Sequence, residues 1–173
     1  MTTTTPKVTT TLVMASVLIM GMVSIVAVQQ EAAFAEKIKG TDNSELIIGT
    51  PEDDQIDSKG GDDANFGDSE VGGGSGDDKI KSGEGVDTNQ GDTAIGTGSG
   101  DDKINSGKGD DLNFGDSEFG TGSGNDKINA GQGDDVNTGN GGADKFNCGQ
   151  GEDTVTDFNE AEGDKASGNC ENT

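Results

Sequence analysis

Histidine, tryptophan and tyrosine are absent from this 173-residue chain, arginine is absent too, and proline and cysteine occur twice each. Each absence removes a class of chemistry. Without histidine no Ser-His-Asp arrangement can be built. Zinc would have to rest on two distant cysteines, and a cysteine nucleophile would lack an imidazole to activate it. Eleven lysines face 34 acids, a net charge of −23. There is no basic patch for nucleic acid, and an anionic membrane surface is equally disfavoured. Hydrophobic residues make up 27% of the chain, and a large share of them sits near the N-terminus. What remains is poorly equipped to offset a backbone entropy of roughly 1–2 kcal/mol per residue.

What the chain does have is glycine and aspartate in register. Ten aspartates, Asp54, Asp63, Asp78, Asp87, Asp102, Asp111, Asp126, Asp135, Asp144 and Asp153, each close a six-residue block whose fourth residue is glycine in nine of the ten cases. They are spaced by 9, 15, 9, 15, 9, 15, 9, 9 and 9 residues. Internal repeats of this kind are read as stacked coils. The stretches 49–72, 73–96 and 97–120 are 24-residue units, each two nonapeptides and a hexapeptide (GDSEVG, GDTAIG, GDSEFG), and a fourth begins at Thr121. After Thr138 the hexapeptide vanishes and two plain nonapeptides follow, GNGGADKFN and CGQGEDTVT. Disorder is the competing reading of so acidic a chain, but disorder needs no register.

The nonapeptide resembles the glycine-rich repeat of the repeats-in-toxin (RTX) family, G-G-x-G-x-D-x-U-x with U a large apolar residue. Thr121–Asn129 and Cys148–Thr156 carry the match well, and the resemblance spans about Gly49–Phe158. It implies an all-β fold, a parallel β-roll or β-helix solenoid, with Ca²⁺ held in the turns. It also implies that the ten aspartates are the side-chain ligands, with carbonyls of turn glycines such as Gly98, Gly100, Gly122 and Gly124 completing the shell.

Physical chemistry supports that implication. Stacked coils sit about 4.8 Å apart. Two bare carboxylates at that distance repel by roughly 1 kcal/mol in water and about 3–4 kcal/mol at an effective dielectric of 20. Calcium accepts six to eight oxygens in flexible geometry, whereas magnesium demands a near-ideal octahedron and keeps its waters. A divalent cation between rungs therefore turns repulsion into a clamp. The expectation is a chain largely unfolded without Ca²⁺ that folds on binding it.

Two features depart from the family pattern. Position eight alternates between Ile56, Ile80, Ile104, Ile128 and Asn65, Asn89, Asn113, Asn137, with Phe146 and Val155 in the last copies. The asparagines read either as an internal amide ladder or as additional ion ligands. The hexapeptide brings a second apolar column, Val71, Ile95 and Phe119, which predicts a third short side and a second strip of core. Phe66, Gln90, Phe114 and Thr138 form an irregular column expected to be exposed.

At the N-terminus, Leu12–Val28 is an uncharged run of apolar and small residues, and Ala33-Phe34-Ala35 is an A-x-A site. Residues 1–35 read as an N-terminal hydrophobic helix serving as a secretory signal peptide, or as a membrane anchor at the short limit of a span. Removing them takes away one acid and one lysine, so the charge of −23 stays. Residues 36–48 then form a lead-in or cap, 49–158 the calcium-binding repeats, and 159–173 an acidic tail or cap. The repeats face the outside in either case, and the predicted location is secreted or cell-surface. Cys148 and Cys170 lie in that exported part, where disulfides persist. A bridge would pin the tail to the last coil, and two free thiols are the alternative.

No catalytic constellation emerges. Gly-x-Gly stretches lack the strand–helix setting and the Lys-Ser/Thr of a phosphate loop. Pairs such as Asp77-Asp78, Asp101-Asp102 and Asp134-Asp135 point to opposite faces of a strand, unlike a glycosidase pair. The predicted function is a non-catalytic, exported calcium-binding repeat protein. The alternative is a structural or adhesive surface component that bridges to a cell-surface or matrix partner through Ca²⁺.

Overall fold

The computed structural model describes residues 24–27, 35–68, 71–72, 74–92, 95–119, 122–167 and 169–171. In chain order the strands are β1 (Ser24–Ala27), β2 (Lys37–Lys39), β3 (Glu45–Ile48), β4 (Gln55–Gly60), β5 (Ala64–Phe66), β6 (Val71–Gly72), β7 (Lys79–Glu84) and β8 (Thr88–Gln90). They continue as β9 (Ile95–Gly96), β10 (Lys103–Lys108), β11 (Leu112–Phe114), β12 (Lys127–Gln132), β13 (Val136–Thr138), β14 (Lys145–Gln150), β15 (Thr154–Val155) and β16 (Lys165–Ala166). One seven-stranded sheet runs β1-β3-β5-β8-β11-β13-β15, the other β16-β14-β12-β10-β7-β4-β2, and among the described residues β6 and β9 form a separate two-stranded pair. All pairing is parallel, and the fold is all-β: a roll in which the chain alternates between two stacked sheets.

Coil length follows the aspartate spacing. Ile56 pairs with Ile80, Ile80 with Ile104 and Ile104 with Ile128, always 24 residues on, and then Ile128 with Phe146, 18 on. The second sheet does the same with Asn65, Asn89, Asn113 and Asn137, and ends on Val155. Residues 36–48 already make a coil of this kind, since Ile38 pairs with Ile56 and Leu46 with Ala64. At the far end Phe146 pairs with Ala166, so the tail is drawn into the stack.

Between the sheets lie two facing columns. One is apolar: Ile38, Ile56, Ile80, Ile104, Ile128 and Phe146, all buried. The other begins at Ile47, runs through the four asparagines and ends at Val155. Asn65 Nδ2 donates to Asn89 Oδ1, Asn89 to Asn113 and Asn113 to Asn137, each at 3.0 Å. Ser82 and Ser106 donate their hydroxyls to Asn89 and Asn113 at 2.5 and 2.6 Å. The asparagines are thus an internal amide ladder rather than ion ligands, and their buried polar groups are satisfied within the stack. Orphaned atoms appear only where the ladder stops, at Asn65 Oδ1 and Asn137 Nδ2.

Glycine is required where coils touch. Gly85, Gly109 and Gly133 have φ of 138°, 128° and 132°. A Cβ on each would fall 1.7–2.0 Å from the carbonyl oxygen of Gly61, Gly85 or Gly109 in the preceding coil. A left-handed backbone and close approach together leave no alternative residue.

Three expectations need correction. The hexapeptide column is not core: Ile95 is 60% and Phe119 73% exposed, while the side chain of Val71 lies outside the described residues. The third side exists as the short β6–β9 pair, but the large sheets already bury each other, so Ile95 and the nearby Phe119 face water. Conversely, Gln90 and Phe114 are buried, not exposed. The hexapeptide meets that column at Gln90, whose Nε2 donates to Glu118 Oε2 at 3.4 Å. Finally, within the stretch read as a hydrophobic helix, Ser24–Ala27 is a strand laid on β3. The rest of the signal or anchor segment lies outside the described residues. No helix among the described residues is long and apolar enough to cross a membrane.

Candidate calcium-binding edges

The ten aspartates fall into two files, one along each edge of the roll, because each stands directly before a strand. Asp54, Asp78, Asp102, Asp126 and Asp144 precede β4, β7, β10, β12 and β14 on the wide edge, where the hexapeptides lie. Asp63, Asp87, Asp111, Asp135 and Asp153 precede β5, β8, β11, β13 and β15 on the narrow edge. All ten are buried. Side chains alternate along a strand: Asp78 and Ile80 turn inward while Lys79 between them faces solvent.

One oxygen of each carboxylate has a fixed task, accepting the backbone N–H of its counterpart one coil earlier. On the wide edge Asp78 Oδ1 takes the N–H of Asp54 at 2.6 Å, Asp102 that of Asp78 at 2.7 Å, and Asp126 that of Asp102 at 2.8 Å. Asp144 takes the N–H of Asp126 at 2.8 Å. On the narrow edge Asp87, Asp111, Asp135 and Asp153 do the same at 2.8–2.9 Å. These bonds satisfy the corner backbone as a ladder satisfies a strand.

The other oxygen is left over. Oδ2 has no donor in nine of the ten, all except Asp54, although each is buried. Asp54 differs because Thr50 closes its site, donating N–H at 2.5 Å and Oγ1 at 3.0 Å to Oδ2. Buried carboxylate oxygens without partners are costly and call for compensation. Backbone oxygens converge beside them. The point where a Cβ of Gly67 would sit is 2.0 Å from Gly91 O and 2.1 Å from Asp78 Oδ2. At Gly91 the corresponding oxygens are Gly115 O and Asp102 Oδ2, both at 2.0 Å. Glycine thus leaves room at points lined by one carboxylate and one carbonyl. Among the described residues no three acidic side chains gather round one point; the carboxylates stand in file. An all-oxygen donor set of carboxylates and carbonyls, shared between rungs, fits Ca²⁺.

Burial and mutual repulsion set the electrostatics of both edges. Burial raises the carboxyls of Asp78 and Asp102 to about 9 and that of Asp126 to about 10. Neighbouring carboxylates add to the rise, against the pull of the backbone N–H bonds. On the narrow edge the same causes raise Asp63, Asp87 and Asp135 to about 6 and Asp111 to about 7. At Asp78, Asp102 and Asp126 burial weighs more heavily, whereas Asp144, at the end of the same edge, rises only to about 6. A third file that the nonapeptide reading missed adds its charge: Asp68, Asp92 and Asp116, the second residues of the hexapeptides, all fully buried. Their only signal in the sequence was recurrence every 24 residues. The files also continue beyond the ten. Asp164 Oδ1 accepts the N–H of Asp144 at 3.0 Å, and Glu171 Oε2 that of Asp153 at 2.8 Å. Glu45 opens the narrow file with its carboxylate already bonded to Thr41.

Cys148 and Cys170 form a disulfide with Cα atoms 5.2 Å apart. It ties the tail onto the last coil, where Cys148 belongs to the buried core.

No curated protein and no solved structure matches the chain. A family model described as the RTX calcium-binding nonapeptide repeat, in four copies, matches residues 39–70, 67–88 and 120–155. Residues 89–119, between the matched stretches, continue the same strand register and aspartate files. With the register, the files and the match in agreement, the chain belongs to the RTX calcium-binding nonapeptide repeat family, whose repeats bind calcium in a structural, non-catalytic role.

Proposed function

We propose that Asp54, Asp63, Asp78, Asp87, Asp102, Asp111, Asp126, Asp135, Asp144 and Asp153 hold Ca²⁺ between successive coils, so that ion binding and folding are one event in an exported, non-catalytic protein. The observation that carries this reading is the set of nine buried Oδ2 atoms with no donor. Binding energy at such sites becomes folding energy, and millimolar affinity is sufficient for an extracellular module. Export is supported by the leader-like residues 1–35 and by the Cys148–Cys170 bridge, which suits an oxidising compartment. In this reading residues 36–48 and 159–173 close the two ends of the 49–158 stack, as solenoid caps do.

Circular dichroism of the chain in chelator, then in millimolar Ca²⁺, tests the proposal beside a calorimetric titration. The expected result is coil giving way to β-structure with heat of binding, and a much weaker response to Mg²⁺. Identical spectra and no binding heat would refute it. A structural or adhesive surface role is the second reading, favoured by the exposed Ile95 and Phe119 on one side of the roll. Calcium-dependent aggregation of cells or fibres separates it from plain ion binding, which leaves a monomer.

A further inference from the structure

The third carboxylate file is not part of the nonapeptide motif, and among the described residues the coil's own hydrogen bonding leaves most of its oxygens without a donor. Asp68, Asp92 and Asp116 each follow a glycine at the start of the hexapeptide, 24 residues apart, and all are 0% exposed. Neither carboxylate oxygen of Asp68 or Asp92 has a hydrogen-bond donor, nor does Oδ2 of Asp116. The N–H groups of Gly76 and Gly100 polarise Asp68 and Asp92 without good hydrogen-bond geometry. The best-placed one is that of Gly124, 3.4 Å from Asp116 Oδ1. The N–H of Gly141 also pulls on Asp116, and each carboxyl of the file is within reach of the next. No lysine compensates: the ion pairs among the described residues, Lys81–Asp57 and Lys108–Glu84, are on the surface.

The backbone is shaped around this file. A Cβ on Gly74 would fall 1.8 Å from Asp68 Oδ2, and on Gly98 or Gly122 2.2 Å from Oδ2 of Asp92 or Asp116. Only a glycine turn can wrap these side chains so closely. The file also faces the first one. Asp78 feels the charges of Asp68 and Asp92, Asp102 those of Asp92 and Asp116, and Asp126 that of Asp116. In the fourth coil Asn140 takes the corresponding place, and its Oδ1 is again a buried oxygen without a donor. Asp157 ends the run by accepting the N–H groups of Gly139 and Asn140 at 3.1 and 2.6 Å.

We propose that Asp68, Asp92 and Asp116 form a second file of ligands for a hard divalent cation, so that the wide edge holds calcium between two rows of carboxylates and the narrow edge along one. The inference rests on the calcium reading above. It gives the chain two classes of site, and it gives the hexapeptide a purpose, which is to carry extra negative ligands to one edge only. Two gaps between three rungs correspond to about two additional ions, each taking carboxylates from adjacent coils and carbonyls from the glycine turns.

The test counts Ca²⁺ per chain by atomic emission after equilibrium dialysis, with a calorimetric isotherm. The full chain is compared with the triple variant Asp68→Asn, Asp92→Asn, Asp116→Asn and with the narrow-edge pair Asp87→Asn, Asp111→Asn. The expected result is about two fewer ions in the triple variant, with the tighter binding class lost and the narrow-edge class kept. The narrow-edge pair should show the reverse. An unchanged count and isotherm in the triple variant would overturn the proposal and leave the file as neutral carboxyls sharing protons. Should the triple variant not reach the β spectrum in Ca²⁺, Asp92→Asn alone decides: a lower count supports the file and an equal count overturns it. A wild-type chain that binds no calcium would instead overturn the reading underneath.

Discussion

Protons should be able to replace calcium in this fold, and the structure allows the exchange to be sized. With burial as the main cause, the folded chain raises the carboxyls of Asp78 and Asp102 to about 9 and of Asp126 to about 10, from an ordinary value of 3.8. A carboxyl raised by folding contributes full stability below its unfolded value and loses it as the pH climbs towards its folded value. Between about pH 4 and pH 7, each of these three costs the cation-free fold about 1.4 kcal/mol per pH unit. At pH 7 that is on the order of 4 kcal/mol for any one of them. Each carboxyl is among the causes of its neighbour's rise, so the costs do not simply add, but one alone is a large part of the stability of an ordinary domain. At pH 4.5 the cost for one group falls to about 1 kcal/mol. The assay is far-ultraviolet circular dichroism in chelator, from pH 8 down to pH 4.5, at low protein concentration. Coil at neutral pH giving way to β-structure near pH 4.5 is expected, with no pH dependence over that range once millimolar Ca²⁺ is present. A β spectrum that persists in chelator at pH 8 would refute the argument, because the buried carboxylates would then be tolerated without compensation.

Other outcomes follow from single positions. Gly91→Ala places a methyl 2.0 Å from both Asp102 Oδ2 and Gly115 O. It should weaken calorimetric Ca²⁺ binding and cost roughly 1–3 kcal/mol of stability in urea, an effect absent at an exposed surface position. Asn113→Ala interrupts the amide ladder and orphans groups on Asn89 and Asn137, so denaturation in saturating Ca²⁺ should show a loss of about 1–3 kcal/mol for each group orphaned. Cys148→Ser releases a closure over 22 residues. It should lower stability by about 3 kcal/mol, seen as a lower melting temperature of the calcium-loaded chain that reductant does not lower further.

Much of this architecture was written in spacing. Nine and fifteen residues between aspartates dictate a 24-residue advance, and the observed register of Ile56, Ile80, Ile104 and Ile128 repeats it, whereas the number of sides to a coil was not fixed by the spacing. The separation of the aspartates into two files was legible for the same reason. Asp68, Asp92 and Asp116 escaped notice because they sit outside the nonapeptide, where the hexapeptide was read for its apolar residues alone. Ile95 and Phe119 were misplaced because apolar periodicity identifies a common face without saying whether another surface covers it. Gln90 and Phe114 were misplaced by the converse, since a mixed column of polar and apolar residues does not say what lies against it.

Periodicity by itself therefore determined the coil, the strand order and the acidic character of both edges, because these depend on local backbone rules repeated many times. Tertiary structure alone decided which oxygens are spent on the backbone and which are left bare. It also decided that one edge carries twice the carboxylate files of the other. Those outcomes depend on distances between residues a whole coil apart, and such distances exist only once the chain has stacked.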